Sequence, residues 1–521
     1  MSTKDENQPD MSLFWGCFIA LITTAFAFIT RAFLVNDPSL WPKTFGLDQV
    51  QGAELFGAGI WPFAISIIVF SLIIDRIGYK TAMWFSFVCY AAYAMLALKA
   101  HGVIAANPEA KKEAYNFLYL GSVILGLGNG TVEAYINPVV ATMFSRNKTK
   151  WLNILHAGWP GGLVLGGLIT LGLGAKAHED WRILVYLIAA PAVFYVAMLS
   201  RAIFPPNERV ASGTSYREML GEFGVLGAAI ASYLISSQLA TVFHWSAGLK
   251  YGVLIACVLV SGLYSRSLGR GILVFLCLVM FPLATTELGT DSVITGIMEE
   301  PMKALGGNGL WVLIYTSAIM MVLRFFAGAI VSRISPLGLL ALSATLAAVG
   351  LVSLSMASGI LTILIASTVY GFGKTFFWPT TLGVVSEQTP KGGALTLNAI
   401  GGIGMLAVGI VGGPVIGAIT EKTAEVAIEK SLPGTYEKVS KDDSYVLGAY
   451  RAVDSEKVKA LATTEPEVAK KVEEAAKGAK QSALGKIAMF PLVMLVCYLG
   501  LIGWFRARGG YKPVSLSSSA H

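Results

Sequence analysis

The sequence predicts an all-α membrane protein whose chain crosses the bilayer about fourteen times. Apolar residues make up 55% of the 521 residues and charged residues only 14%, whereas soluble proteins carry about 25% charged residues. Most of the charges lie between apolar runs of about 20 residues, which is the length of helix that spans a hydrocarbon core. The mean hydropathy of +0.65 agrees with this class and excludes an ordinary soluble domain.

The apolar runs form two groups of six, separated by a pair. They predict spans at 12–35, 53–74, 80–100, 116–144, 152–175 and 181–204, then at 221–242 and 249–268, and then at 271–290, 309–332, 336–357, 359–385, 393–420 and 485–506. The predicted organisation is a tail at 1–11, a six-helix bundle at 12–204, a linker at 205–270 with two extra central transmembrane helices, a second six-helix bundle at 271–506 that includes a polar insertion at 421–486, and a tail at 507–521.

Lysine and arginine cluster on one side of the predicted spans. If the N-terminus is cytoplasmic, the basic stretches at 75–80, 146–150, 201–217 and 506–512 all lie inside, and the positive-inside rule favours this orientation. We therefore expect a multi-pass protein of the inner (plasma) membrane with both termini in the cytoplasm. The net charge of +7 belongs to these loops, and the pattern of a nucleic-acid binder is absent.

Enzyme motifs are also absent from the sequence. It contains no phosphate-binding P-loop, no spacing typical of metal ligands and no nucleophile elbow. We predict a protein without catalytic residues, metal or cofactor, which lies in the lipid bilayer as a monomer.

A charged stretch fills the short gap between the second and third predicted spans. It reads Asp75-Arg76-Ile77-Gly78-Tyr79-Lys80. Charges beside membrane spans are costly unless they lie at the surface. The stretch resembles the signature loop of the major facilitator superfamily, Gly-x-x-x-Asp-Arg-x-Gly-Arg-Lys/Arg, with Ser71 and Tyr79 as its two departures. The resemblance implies the major facilitator fold and a secondary transporter that works by alternating access.

An internal repeat agrees with the two halves of that family. The segment at 126–129 matches the segment at 371–374, and both are followed by a glycine-rich helix. The distance from Gly128 to Asn153 is equal to the distance from Gly373 to Asn398. A weaker echo of the signature loop is found around Arg333.

Residues 128–167 resemble the fucose–proton symporter (sugar permease) branch of the superfamily. The matching segments are Asn137-Pro138, Lys148-Thr149-Lys150 and Asn153-Ile154-Leu155-His156. That branch has an acidic residue in its fourth helix, and Glu133 matches its position. It has a second acidic residue in its first helix, where this chain has Arg31, with Asp37 beyond the end of the span.

Glu133 and His156 are the predicted proton-coupling residues. A carboxylate in the middle of a span is costly unless it titrates, pairs or faces water. His156 lies in the fifth span, and histidine titrates near neutral pH. A structural ion pair for Glu133 and a packing role for His156 are the alternatives.

The predicted substrate-binding residues are polar, charged or aromatic side chains within the spans. Asn129 and Asn137 lie one helical turn on either side of Glu133, and tryptophan stacks on sugar faces. Lys374 and Arg324 are membrane-embedded cations, and we expect Arg324 to pair with Glu133 or Glu287 or to hold an anionic group. The full set is Asn129, Asn137, Trp159, Glu287, Arg324, Lys374, Trp378 and Arg31.

The predicted gating residues are Asp75, Arg76 and Arg333. In the family the signature loop pairs with neighbouring helices and stabilises one access state. The alternative is a topology signal alone, although the acidic Asp75 adds nothing to the positive-inside rule.

These observations predict a transporter of a small polar solute, with a sugar as the leading candidate and a proton, or sodium, as the coupling ion. An organic anion transporter is the second hypothesis, because the predicted spans contain three cations, Arg31, Arg324 and Lys374, against one mid-span acid, Glu133. A lipid flippase and a non-transporting sensor or scaffold remain open. From Glu456 to Ala483 the insertion has helical propensity and charge pairs. We expect it outside the membrane as a cap over the path or as a solvated helical hairpin.

Overall fold

The computed structural model describes residues 10–516 except residues 38, 308 and 446–447. Of the two predicted tails, residues 1–9 and 517–521 therefore lie outside the described residues. The first half of the chain consists of ten helices: α1 (Met11–Asn36), α2 (Trp41–Phe45), α3 (Gln49–Gly57), α4 (Trp61–Ile77), α5 (Tyr79–Ala106), α6 (Lys111–Met143), α7 (Lys148–His156), α8 (Gly158–Leu173), α9 (Ala175–Glu179) and α10 (Arg182–Leu199).

A linker and a second half follow. The linker helices are α11 (Glu208–Ala211), α12 (Tyr216–Phe243) and α13 (Ala247–Ser265). The second half contains α14 (Gly271–Ala284), a π-helical turn (Thr285–Gly289), α15 (Thr290–Lys303), α16 (Leu310–Phe325), α17 (Ala327–Val331), α18 (Pro336–Met356), α19 (Ile360–Lys374), α20 (Phe377–Gln388), a 3₁₀ turn (Pro390–Gly392), α21 (Gly393–Ala407), a second π-helical turn (Val408–Gly412), α22 (Gly413–Ser431), α23 (Tyr436–Val439), strands β1 (Ser440–Tyr445) and β2 (Gly448–Val453), α24 (Ser455–Thr464), α25 (Pro466–Ile487) and α26 (Met489–Arg506).

Twelve helices or continuous helical runs among the described residues are long and apolar enough to cross a membrane. They coincide with twelve of the fourteen predicted spans. The other two predicted spans coincide with α6, which carries Asn129, Glu133 and Asn137, and with α16, which has 16 residues. The helical membrane fold is confirmed, whereas the count of fourteen crossings stays a prediction.

The main contacts between the two halves are made by three pairs of helices. Helix α4 packs against α21, α7 against α20, and α8 against α16. We call the side of the bundle that carries the α4–α5 junction the Asp75 face, and the opposite side the Asp37 face. The termini of the described chain lie on the Asp75 face, because Phe14 contacts Phe144 and Val514 bonds to Glu387.

The two repeated glycines occupy equivalent positions in the two halves. A Cβ atom on Gly128 of α6 would lie 2.7 Å from Cys89 Cβ of α5, and one on Gly373 of α19 would lie 2.2 Å from Ala347 N of α18. Both glycines therefore allow the same close approach between neighbouring helices, which explains why the repeat is visible in the sequence.

The insertion at 421–486 has a small apolar core of its own. Ile428, Tyr436, Val439, Val458 and Val472 are buried together. Helices α24 and α25 cover the stretch predicted to be helical, whereas the antiparallel hairpin of β1 and β2 was not predicted. Gln481 Nε2 fixes the insertion to α18 by donating to the carbonyls of Leu354 (2.9 Å) and Ala357 (2.6 Å).

Gly373→Ala should destabilise the protein by about 1–3 kcal/mol, because the added methyl group overpacks the contact between α18 and α19. Gly252→Ala is the matched control, since a Cβ there meets nothing within 4 Å. This control should hold or raise stability, because alanine is the better helix former. Thermal unfolding in detergent measures both variants, and equal midpoints would contradict the packing argument.

Candidate functional site

A cavity lies between the two halves of the bundle. The first half contributes side chains from α4, α6, α7 and α8, and the second half from the first π-helical turn, α16, α20 and α21. Its walls are formed by Phe63, Ile67, Glu133, Asn137, His156, Trp159, Glu287, Leu288, Arg324, Trp378, Asn398, Gly401 and Met405. Seven of the ten residues predicted for proton coupling and substrate binding line it, namely Glu133, Asn137, His156, Trp159, Glu287, Arg324 and Trp378.

Glu133 begins a chain of three hydrogen-bonded side chains. Its Oε2 accepts a hydrogen bond of 2.8 Å from Asn137 Nδ2, one turn along α6. Asn137 Oδ1 lies 3.0 Å from His156 Nε2, so the histidine is the donor in this pair. No ion pair to Glu133 is present among the described residues, although the residue is only 7% exposed.

Glu287 and Arg324 form a buried ion pair in the second half. Arg324 Nη2 donates to Glu287 Oε1 at 3.0 Å, and the backbone N–H of Trp378 donates to Glu287 Oε2 at 3.2 Å. The side chains of Arg324 and Glu287 are 1% and 4% exposed, so the charge of each depends on the other. Of the two carboxylates predicted as partners of Arg324, Glu287 is therefore the one with which it pairs.

Three prolines free the backbone carbonyls that surround the cavity. A proline has no N–H with which to bond the carbonyl four residues earlier in a helix. Pro138 therefore frees the carbonyl of Ala134, Pro160 frees that of His156, and Pro379 frees that of Thr375. Each freed group accepts a side-chain donor instead: Asn398 Nδ2 to Ala134 O (2.9 Å), Arg324 Nη1 to His156 O (2.7 Å) and Arg324 Nε to Thr375 O (2.7 Å).

Two of these three bonds join the halves of the protein. Asn398 of α21 reaches α6, and Arg324 of α16 reaches the junction of α7 and α8. Because a carbonyl without a donor is costly in a membrane, these bonds hold the halves in register around the cavity. We call them the carbonyl lock.

Three predicted substrate-binding residues lie outside the cavity wall. Asn129 accepts a hydrogen bond of 2.8 Å from the hydroxyl of Tyr90. Lys374 is fully buried in an ion pair with Asp291 and lies over the ring of Tyr370. The structure therefore provides each of these two polar side chains with a partner within its own half.

Arg31, the third of these residues, caps the end of a helix. Its Nη2 donates to the carbonyls of Leu55 (2.5 Å) and Phe56 (3.1 Å) near the end of α3. Gly59 leaves room for it, since a Cβ there would lie 1.8 Å from Arg31 Nη1.

The signature loop contacts the linker. Arg209 donates to Asp75 Oδ2 through Nη2 (2.6 Å) and Nε (3.2 Å). The guanidinium of Arg76 lies over the ring of Tyr216, 4.6 Å from its centroid. Arg333 is exposed, and no ion pair to it is present among the described residues. No pattern in the sequence indicated Arg209, which is distant from Asp75 along the chain.

Three comparisons with known proteins bear on this arrangement. The sequence model of the Major Facilitator Superfamily matches residues 13–414. A comparison with curated proteins found no match. The solved structures similar to this chain share its fold, at sequence identities too low to indicate more.

Three such structures illustrate the similarity. FucP from E. coli, a transporter in the outward conformation, is 15% identical over 92% of this chain and 98% of its own, with a TM-score of 0.51. The proton:xylose symporter XylE from E. coli, bound to 6-bromo-6-deoxy-D-glucose, is 14% identical over 93% and 94%, with a TM-score of 0.58. The human organic anion transporter MFSD10 (TETRAN) is 13% identical over 95% and 100%, with a TM-score of 0.54.

A helical membrane protein with two packed bundles, and between them a cavity whose wall holds buried charged and amide side chains, has the architecture of a transporter. The matched family model covers most of the chain, and we conclude that the protein belongs to the major facilitator superfamily.

Arg324→Gln should destabilise the protein by about 3–5 kcal/mol, because it leaves Glu287 buried without its counter-charge. The double variant Arg324→Gln/Glu287→Gln should recover part of the lost stability, because no unpaired charge is left in the core. Recovery should be incomplete, because the carbonyls of His156 and Thr375 still lack their charged donor. Denaturation midpoints in detergent measure both.

Arg182→Gln is the control for this prediction, because that arginine pairs with Asp180 at the surface and its loss should change little. A double variant no more stable than Arg324→Gln would show that the buried charge is not the main cost.

Proposed function

We propose that the protein is a secondary active transporter that moves a small, neutral, polar solute, with a sugar as the leading candidate, by proton-coupled alternating access. The observation that carries this proposal is the difference between the two carboxylates of the cavity. Glu287 is neutralised by Arg324, whereas Glu133 faces the cavity with only an amide donor at hydrogen-bond distance. A carboxylate in that position can exchange a proton without losing an ion pair.

The distribution of charge favours a neutral solute over an organic anion. Of the three membrane-embedded cations, Arg31 binds carbonyls away from the cavity and Lys374 is paired with Asp291. Arg324 lines the cavity but is already paired with Glu287 and two carbonyls. An anion bound near ionised Glu133 would therefore experience repulsion, and each of these three cations already has a partner.

The side chains of the cavity suit recognition of hydroxyl groups on an apolar ring face. Asn137 and Asn398 offer amide donors and acceptors, and Trp159 and Trp378 offer aromatic faces. Closing the halves around ionised Glu133 would desolvate its charge, so closure with a proton bound costs less. This difference links the movement of the proton to that of the solute.

An organic anion is the second candidate substrate. The observation in its favour is the guanidinium of Arg324 in the cavity wall, which an anion displacing Glu287 would contact. A sensor or scaffold would use the folded insertion at 421–486 as its partner-binding part, and it would bind solute without carrying flux.

We propose the membrane topology that the sequence predicts. It has fourteen crossings, two six-helix bundles at 12–204 and 271–506, and a linker at 205–270 that contributes α12 and α13. The Asp75 face is cytoplasmic in this proposal, the insertion lies outside, and the protein acts as a monomer in the inner (plasma) membrane. Asp75 and Arg76 would then hold the linker in place on the cytoplasmic side.

In proteoliposomes, an inward proton gradient should drive accumulation of a neutral sugar from a labelled panel, and Glu133→Gln should reduce this uptake to simple equilibration. Solute exchange should persist in Glu133→Gln, because exchange needs no net movement of protons. Glu113→Gln, an exposed change on the same helix, is the matched control. Uptake restricted to organic acids and unchanged in Glu133→Gln would favour the anion transporter, and binding without flux would favour the sensor.

Single cysteines introduced into a chain without its five native cysteines test the topology. Ala247→Cys, at the start of α13, and Lys470→Cys, on α25, should react with an impermeant maleimide added to intact cells. Arg146→Cys should react only after permeabilisation. Protection of Ala247→Cys from the outside reagent would mean that α12 and α13 do not cross the membrane.

A further inference from the structure

Residues 511–516 follow α26 and lie across the end of α20 on the Asp75 face. The ring of Tyr511 packs edge-on against Phe505, with 5.0 Å between centroids, and Leu516 is only 6% exposed. This segment, which we call the strap, is therefore packed onto the bundle, and the transport cycle described above gives it no role.

Three hydrogen bonds fasten the strap to the last two residues of α20. The hydroxyl of Tyr511 donates to Glu387 Oε2 at 2.7 Å, and the N–H of Val514 donates to the carbonyl of Glu387 at 2.8 Å. Gln388 Nε2 donates to the carbonyl of Lys512 at 2.9 Å. Burial and the neighbouring Glu387 carboxylate raise the pKa of Tyr511 well above its usual value, so its hydroxyl remains a donor.

The same Glu387 side chain also binds the other half of the protein. Its Oε1 accepts a hydrogen bond of 2.5 Å from Thr149 Oγ1 at the start of α7. The two helices lie close together here, since a Cβ on Gly383 of α20 would lie 2.4 Å from Thr149 Oγ1. Glu387 thus bridges the two halves with one oxygen while the strap holds the other.

The strap also covers the space between the central cavity and the Asp75 face. One cavity is lined by Pro138, Ala141 and Ser386, and a wider one by Arg146, Glu387 and the strap residues 513–516. Lys148 and Glu208 line both cavities and pair with each other at 2.5 Å. A solute leaving through the Asp75 face would pass this pair and the strap.

We propose that residues 511–516 act as an intramolecular strap that stabilises closure on the Asp75 face by orienting Glu387 towards Thr149. When the strap is released, Glu387 loses two of its donors and the contact between α7 and α20 weakens. The Asp75 face then opens more often. The strap is thus a regulatory element that acts on the access equilibrium from outside the central cavity, and it is independent of the identity of the solute.

The test is the rate at which a single cysteine reacts, and it needs no solute. Ala141→Cys is buried behind the Lys148–Glu208 pair and is introduced into the full-length protein without its native cysteines. Tyr511→Phe and Val514→Pro each remove one strap donor and should raise its maleimide labelling rate about two- to tenfold, the effect of one hydrogen bond. Lys512→Gln is the control and should change nothing, because only its backbone carbonyl is used.

Two further measurements separate the strap from a general loosening of the protein. Thr149→Val should raise the labelling rate by a similar factor, and Tyr511→Phe should have no further effect in a Glu387→Ala background. Labelling of Cys277, which is buried in α14, should stay unchanged in a matched protein that retains it. An unchanged rate in both strap variants would overturn the proposal, as would a parallel rise at Cys277 or an undiminished effect of Tyr511→Phe without Glu387.

Discussion

A carbonyl group that loses its helical hydrogen bond inside a membrane bundle must find another donor, and this constraint organises the centre of the protein. Pro138, Pro160 and Pro379 each free one carbonyl, and Arg324 and Asn398 supply the replacement donors. A buried arginine then needs a counter-charge, which places Glu287 beside it. Three prolines, which have no backbone N–H to donate, therefore determine which side chains meet at the centre of the site and how the two halves are joined there.

The two halves meet this constraint differently, although the same short repeat is found in both sequences. Trp378 and Gly401 follow Glu133 and His156 by the same offset that separates Gly373 from Gly128. The first half thus places titratable groups where the second half has an indole ring and a glycine. The second half contributes instead a fixed ion pair between Glu287 and Arg324. This asymmetry gives one wall of the cavity a carboxylate without an ion pair among the described residues and the other wall a carboxylate paired with a guanidinium.

Features that depend on a local sequence pattern could be predicted from the sequence. The apolar runs predicted the positions of the long helices, and the loop around Asp75 indicated the family. The cost of a carboxylate in the middle of a span singled out Glu133, which lines the cavity. Contacts between distant segments left no such pattern, so Arg209 as the partner of Asp75 and Glu387 as the partner of Thr149 were not predicted. Burial cost alone also pointed to Lys374 and Arg31 as substrate-binding residues. In the structure Lys374 is paired with Asp291 and Arg31 donates to two carbonyls, in both cases away from the cavity wall. The sequence pattern does not show which partner a long side chain reaches.

The carbonyl lock has a consequence for any movement of the halves. If the halves rock apart at the cavity, the carbonyls of Ala134 and His156 lose their side-chain donors. They cannot form helical hydrogen bonds instead, because the prolines four residues later have no N–H. Water or a polar group of a bound molecule must then take the place of Asn398 and Arg324. Opening is tolerable only where the cavity is wet or occupied, and closure is favoured once it empties. The same backbone feature that joins the halves thus makes their separation depend on what fills the space between them.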